Sequence, residues 1–176
     1  MAYLVFQSTG GPDGWREPRQ LPPGYEMETW RPGWRHIVPP TLGPKFALWW
    51  ALHACRLFRN RDYSALLIRH KGLVVHRTCL IPKYFRWPFM TDADLQISST
   101  WTHPEHRCLG LATFALQSAV TQWAAVGRTL WYVTGAENAP SLAVCNNIGF
   151  VMKTAAVRTF RFGLRVLGQL ELLEKT

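Results

Sequence analysis

Residues 94–112 read DLQISSTWTHPEHRCLGLA, and the fold turns on how this stretch is read. A strand-like run over 94–102 gives way at Pro104 to a short loop carrying Arg107 and Gly110, and an apolar helix follows at once. That order makes an anion site. The first N–H groups of a helix have no intrahelical partner, its dipole favours negative charge, and glycine lets the backbone approach a phosphate closely.

Downstream, residues 110–126 (GLATFALQSAVTQWAAV) predict a helix closed by Gly127, and 129–134 (TLWYVT) a strand. Residues 138–147 predict a short helix with Pro140 in its first turn. Upstream, 25–30 (YEMETW) reads as a strand and 33–44 as irregular. The pair 63–70 and 73–81 forms a hairpin around Lys71-Gly72. Residues 45–59 (KFALWWALHACRLFR) predict a helix that is apolar on most faces, either buried or lying on an interface. The aromatic-basic loop 82–90 (PKYFRWPFM) either folds onto the core or meets a substrate or membrane. Residues 151–165 hold two more strand candidates, and 1–23 are expected as a loop or flexible segment ahead of a single unit over 24–170. Strands and helices alternate, so the class is α/β with a mixed sheet.

With 176 residues, 48% of them hydrophobic, the chain has material for one domain with a real core. No apolar run reaches the ~18 residues needed to span a bilayer. Cysteines 55, 79, 108 and 145 show neither C-x-x-C nor zinc spacing, so reduced thiols, no metal and a cytoplasmic setting are expected. Charge is concentrated: residues 31–91 hold eleven Lys or Arg and one acid, Asp62. Such a block attracts phosphate-bearing partners, whether nucleic acid, an anionic membrane surface or a phosphorylated small molecule.

Arg107-x-x-Gly110-x-Ala112 resembles the R/Q-x-x-G-x-G/A signature of the GCN5-related N-acetyltransferases. The segment 138–150 (NAPSLAVCNNIGF) resembles the N-x-x-S/A-x-x-x-Y-x-x-x-G-F motif of the same family, at the right distance: one helix and one strand later. The resemblance implies a single-domain acetyltransferase fold, a mixed sheet of six to seven strands flanked by about four helices. It implies acetyl-CoA, or another acyl-CoA, with its pyrophosphate on the amides of Cys108, Leu109, Gly110, Leu111 and Ala112 beside Arg107. The backbone of Trp101 and Thr102 would pair with the pantetheine, which Asn138 and Ser141 approach from the helix opposite. Gly149 and Phe150 would be a helix stop and a core aromatic.

The catalytic positions depart from the family's pattern. Where a proton-donating tyrosine is usual stands Cys145, readable as a thiol donor or as a buried small residue. Where a glutamate base is usual stands Gln96, which cannot act as one. Asp94, two residues away on the same strand face, and His103 are the candidates to replace it, with His76 and Glu105 also near. Without a strong base, an amine that is already partly neutral suits the site better than lysine, whose pKa is about 10.4. The expected reaction is therefore acyl-CoA-dependent N-acetylation of a low-pKa amine on a small molecule, such as a nucleotide- or lipid-linked amino sugar of polysaccharide biosynthesis. Two alternatives stand beside it: a nucleic-acid-modifying protein on the same fold, and a non-catalytic acyl-CoA-binding module peripheral to the inner membrane face.

Overall fold

The computed structural model describes residues 3–8, 20–123, 127–160 and 168–173. Eight strands form one sheet: β1 (Tyr3–Gln7), β2 (Tyr25–Trp30), β3 (Ser64–His70), β4 (Leu73–Pro82), β5 (Leu95–Thr102), β6 (Leu130–Gly135), β7 (Val151–Arg158) and β8 (Leu170–Leu172). Three α-helices accompany them: α1 (Ala47–Ala54), α2 (Leu111–Trp123) and α3 (Ala139–Ile148). The spatial order is β2-β3-β4-β5-β6-β1-β7-β8. All neighbours are antiparallel except β5 and β6. This is the expected α/β class, with more strands and fewer α-helices among the described residues than the expectation of six to seven and about four.

Side chains alternate across the sheet, so each strand feeds two cores. On β6, Trp131 and Val133 join the layer with Trp49 and Leu52 of α1, while Leu130 and Tyr132 join the layer under α2 and α3. Helix α2 buries Leu111, Ala115, Leu116, Ala119, Val120 and Trp123, a spacing that keeps one face on the sheet. Its expected end at 124–126 lies outside the described residues.

Three expectations need correction. Tyr3–Gln7, expected within the loop 1–23, is a strand held on both sides, with Val5 opposite Val133 on β6 and Thr154 on β7. Residues 9–19 of that segment lie outside the described residues. The helix expected over 45–59 begins as a 3-10 turn at Pro44–Phe46, runs as α1 and stops at Cys55. Arg56 has left-handed backbone (φ 59°), which ends the helical hydrogen-bond ladder. Its burial is split: Trp49 and Leu52 pack under the sheet, while Leu48 is exposed. Of the two strands expected over 151–165, β7 is present and residues 161–165 lie outside the described residues. Among the described residues no helix is long and apolar enough to cross a membrane.

Candidate active-site cleft

The cleft begins where two strands part. β5 pairs with β6 in parallel only over Leu95, Gln96 and Ile97, opposite Leu130, Trp131 and Tyr132. Beyond that point β5 keeps its antiparallel partner β4, with His76 opposite Thr102, and β6 keeps β1. The facing edges of β5 and β6 separate. A β-bulge sharpens the parting, since the register shifts between Cys79↔Ser98 and Arg77↔Trp101. Ser99 sits in the bulge with φ 50°, a conformation that costs a non-glycine residue roughly 1–2 kcal/mol. Arg77 holds it there, donating Nε and Nη2 to the Ser99 carbonyl at 3.3 and 3.2 Å.

The resulting cleft of about 480 Å³ is lined on one side by Thr100, Trp101, Thr102, His106, Arg107, Cys108, Leu111 and Ala112, and on the other by Tyr132, Asn138, Pro140, Ser141 and Val144. Both stretches singled out in the sequence therefore meet across it. At the loop, Cys108 (φ 60°) and Gly110 (φ 77°) both take left-handed backbone, turning the chain so that successive amides converge ahead of α2. The Phe114 amide is the first to find a helical acceptor, the Gly110 carbonyl at 2.9 Å, so those of Leu111, Ala112 and Thr113 precede the ladder. Leu109 is exposed at the loop tip. Arg107 donates Nε to the Thr102 carbonyl at 3.3 Å, which leaves its terminal nitrogens for an anion.

Across the cleft Asn138 caps α3, its Oδ1 accepting from the Ser141 amide at 3.3 Å. Helix α3 ends at Gly149 (φ 85°), and Phe150 lies in the core behind it. The floor carries a hydrogen-bonded polar chain. The Tyr132 hydroxyl donates to Ser141 Oγ at 3.2 Å. Thr78 Oγ1 donates to Thr100 Oγ1 at 3.4 Å, and His76 joins Thr78 through Nε2 (3.0 Å) and Thr102 through Nδ1 (2.8 Å). Burial raises the Tyr132 pKa above that of a free phenol, so the hydroxyl keeps its proton at neutral pH. Tyr132 was missed by the sequence reading, where it is one more aromatic on a strand.

None of the three candidate catalytic side chains lines the cleft. Asp94 lies at the start of β5, roughly 20 Å along the strand from the cleft. Its carboxylate is saturated, accepting from the Thr91 amide (2.7 Å), the Thr129 amide (2.8 Å) and Trp131 Nε1 (2.9 Å). It ties β5 to β6 below the fork. Cys145 points into the core under α3, fully buried, and burial pushes its thiol up to about 12. Val144 faces the cleft in its place. His103 stands beside the cleft, edge-on to Trp101 and to His106, and it is His106 that lines it.

Gln96 is buried and donates Nε2 to the Ile97 carbonyl at 2.8 Å. His103, Glu105 and His106 offer ligand atoms within 4.8 Å of one another. That spread exceeds the about 3.4 Å ligand separation of tetrahedral zinc. Glu105 is exposed, and His106 Nδ1 is engaged by the Tyr25 hydroxyl at 2.7 Å, which leaves Nε2 of that ring.

His76 gives the site a pH signature. Burial, and then the neighbouring Arg77 charge, lower its pKa to about 3. The unfolded chain takes up this proton near pH 6.5 and the folded chain does not until near 3. Stability from this group is therefore complete above pH 6.5 and falls by about 1.4 kcal/mol per pH unit below it. Unfolding midpoints measured between pH 7.5 and 4.5 should fall steeply for the native chain and less steeply for His76→Gln.

No family model matches the sequence, and no curated protein matches it. Solved structures do. A GCN5-related N-acetyltransferase from Sphaerobacter thermophilus superposes with TM-score 0.57 at 18% identity over 88% of this chain and 49% of that one. A tandem GNAT protein from the clavulanic acid biosynthesis pathway gives 0.56 at 17% identity over 86% and 50%. A GNAT-family acetyltransferase from Colwellia psychrerythraea gives 0.55 at 12% identity over 86% and 52%. The chain spans about half the length of these solved chains. It has the GCN5-related N-acetyltransferase fold.

Proposed function

We propose that the chain is an acyl-CoA-dependent N-acetyltransferase acting on a low-pKa amine of a small molecule. The observation that carries this reading is the fork of β5 and β6, which sets the amide-lined loop at 107–112 against the capped end of α3 across one cleft. The pyrophosphate of acetyl-CoA suits the amides from Cys108 to Ala112 with Arg107 beside them. The free edge of β5 at Trp101 and Thr102 suits the pantetheine amides, as an added strand would, with Asn138 and Ser141 facing it. Acetyl-CoA supplies the acyl group as an activated thioester.

The chain's own residues supply position and a proton. Tyr132 holds a proton at Oη on the cleft floor, oriented by Ser141, where a departing thiolate can take it. It occupies the chemical role that Cys145, buried in the core, does not fill. Among the described residues no carboxylate lines the cleft, which fits an amine that reaches the site partly neutral. Much of the rate then comes from positioning. The concentration of arginine near β2 favours an acceptor that carries phosphate, such as a nucleotide- or lipid-linked amino sugar.

The test is a thiol-release assay with acetyl-CoA against nucleotide sugars, free amino sugars, amino acids, polyamines and tRNA. Turnover above the hydrolytic background is expected with an amino sugar. Isothermal titration showing no acetyl-CoA binding would end the proposal.

A further inference from the structure

A second concavity, a groove of about 700 Å³, lies between β2 and the chain that follows it, with β3 and β4 separating it from β5. Arg31, Arg35, Arg69 and His36 line it, with Glu28 as its one acid. That acid is already committed to Arg69, at 2.8 Å. Among the described residues neither Arg31 nor Arg35 is part of an ion pair. Local backbone sets their placement. Gly33 and His36 exchange hydrogen bonds at 3.2 and 3.0 Å, closing a tight turn that returns Arg35 to the wall that Arg31 leaves. The rest of the lining includes Trp30 and Pro40, an apolar surface under two uncompensated guanidiniums.

The groove is joined to the cleft by one side chain. Arg77 donates Nη1 to the Pro40 carbonyl at 3.4 Å and to Thr41 Oγ1, and its other nitrogens hold the Ser99 bulge that opens the cleft. It also lies over the Trp101 ring, 5.7 Å from the centroid. Whatever occupies the groove is thus one guanidinium away from the cleft wall.

We infer that this groove is an acceptor subsite for a diphosphate-bearing small molecule, with Arg31 and Arg35 on the phosphates and Trp30 against an attached ring. Planar guanidiniums match phosphate oxygens two bonds at a time, and an indole face takes a sugar or base. A solvated arginine pair on a convex turn needs no ligand, but here the pair faces into a concavity with its only acid neutralised. A nucleic acid would be met by an extended basic stripe rather than a single local groove. The word acceptor rests on the acetyltransferase reading, whereas the anion site stands without it.

Inorganic pyrophosphate is the probe, titrated calorimetrically into the chain saturated with CoA so that the loop at Arg107 is blocked. Binding is expected, and the Arg31→Ala/Arg35→Ala variant should weaken it about 30-fold while changing CoA affinity less than twofold. Arg31→Lys/Arg35→Lys should retain an intermediate affinity, and unfolding midpoints within a few degrees of the native chain show that the variants fold. Equal pyrophosphate binding by native and alanine chains, or none once CoA is bound, overturns the inference. So does a DNA duplex that binds more tightly than pyrophosphate with a steep salt dependence. If CoA itself does not bind, the acetyltransferase reading falls, and the arginine dependence of pyrophosphate binding, measured without CoA, decides the groove alone.

Discussion

Glutamate at Gly110 is expected to weaken acetyl-CoA binding by about 100-fold or more in isothermal titration. Two effects act together. A carboxylate is placed among the amides from Cys108 to Ala112, where the proposed ligand group is itself an anion. The backbone at this position, φ 77°, also disfavours any residue with a Cβ, by roughly 1–2 kcal/mol. Loss of two charge-assisted hydrogen bonds at about 1.5–3 kcal/mol each accounts for two to four orders of magnitude. The strain lowers stability slightly and should shift the melting temperature by only a few degrees. Arg107→Ala, which leaves the backbone alone, should cost about tenfold. Binding by the glutamate variant within threefold of the native chain would show that the loop is not the anion site.

Tyr132→Phe is expected to lower kcat by about 100-fold while leaving the Kd for CoA nearly unchanged. Removing the hydroxyl leaves the ring, so the packing under α3 persists and the hydrogen bond to Ser141 is lost. Because burial raises the phenol's pKa, the proposed acetyl transfer should show no alkaline loss of kcat from this group below about pH 10. The acid limb would then report the acceptor amine. Ser141→Ala should have a smaller effect, since it removes the phenol's acceptor and leaves the proton donor in place. A phenylalanine variant keeping more than half the native kcat would remove Tyr132 from the mechanism.

What the sequence made legible is local. The loop at 107–112 and the helix at 138–150 each carry their physics within a dozen residues: left-handed turns, caps, a missing helical ladder. What it hid is set by distance. Alternation along β5 placed Asp94 on the same face as Gln96, but it does not say how far along the strand a cleft will open. Tyr132 looks like core in a strand TLWYVT, and only the loss of pairing after Ile97 exposes its hydroxyl to a cavity. Cys145 followed a family position whose neighbour, Val144, has the cleft-facing side of the helix here. β1 was missed because five residues, YLVFQ, carry too short a pattern to stand out, and both its partners lie more than a hundred positions away.

That first strand sets an order of events. β1 joins β6 to β7, Tyr3 pairing with Gly135 on one side and Ala156 on the other, so the sheet is continuous only when residues 3–7 meet partners translated more than a hundred positions later. During synthesis it must wait, apolar and unpaired, until both partners have emerged. Closing so long a loop is slow relative to forming the hairpin of β3 and β4, and meanwhile β6 and β7 each show a bare edge. Pulse-labelled hydrogen exchange should find the amides of Leu4 to Phe6 protected last, and protection of β1 together with β3 would refute this sequence. Chaperone dependence and yield would then be governed by the pairing of β1, a strand that contributes no residue to the cleft.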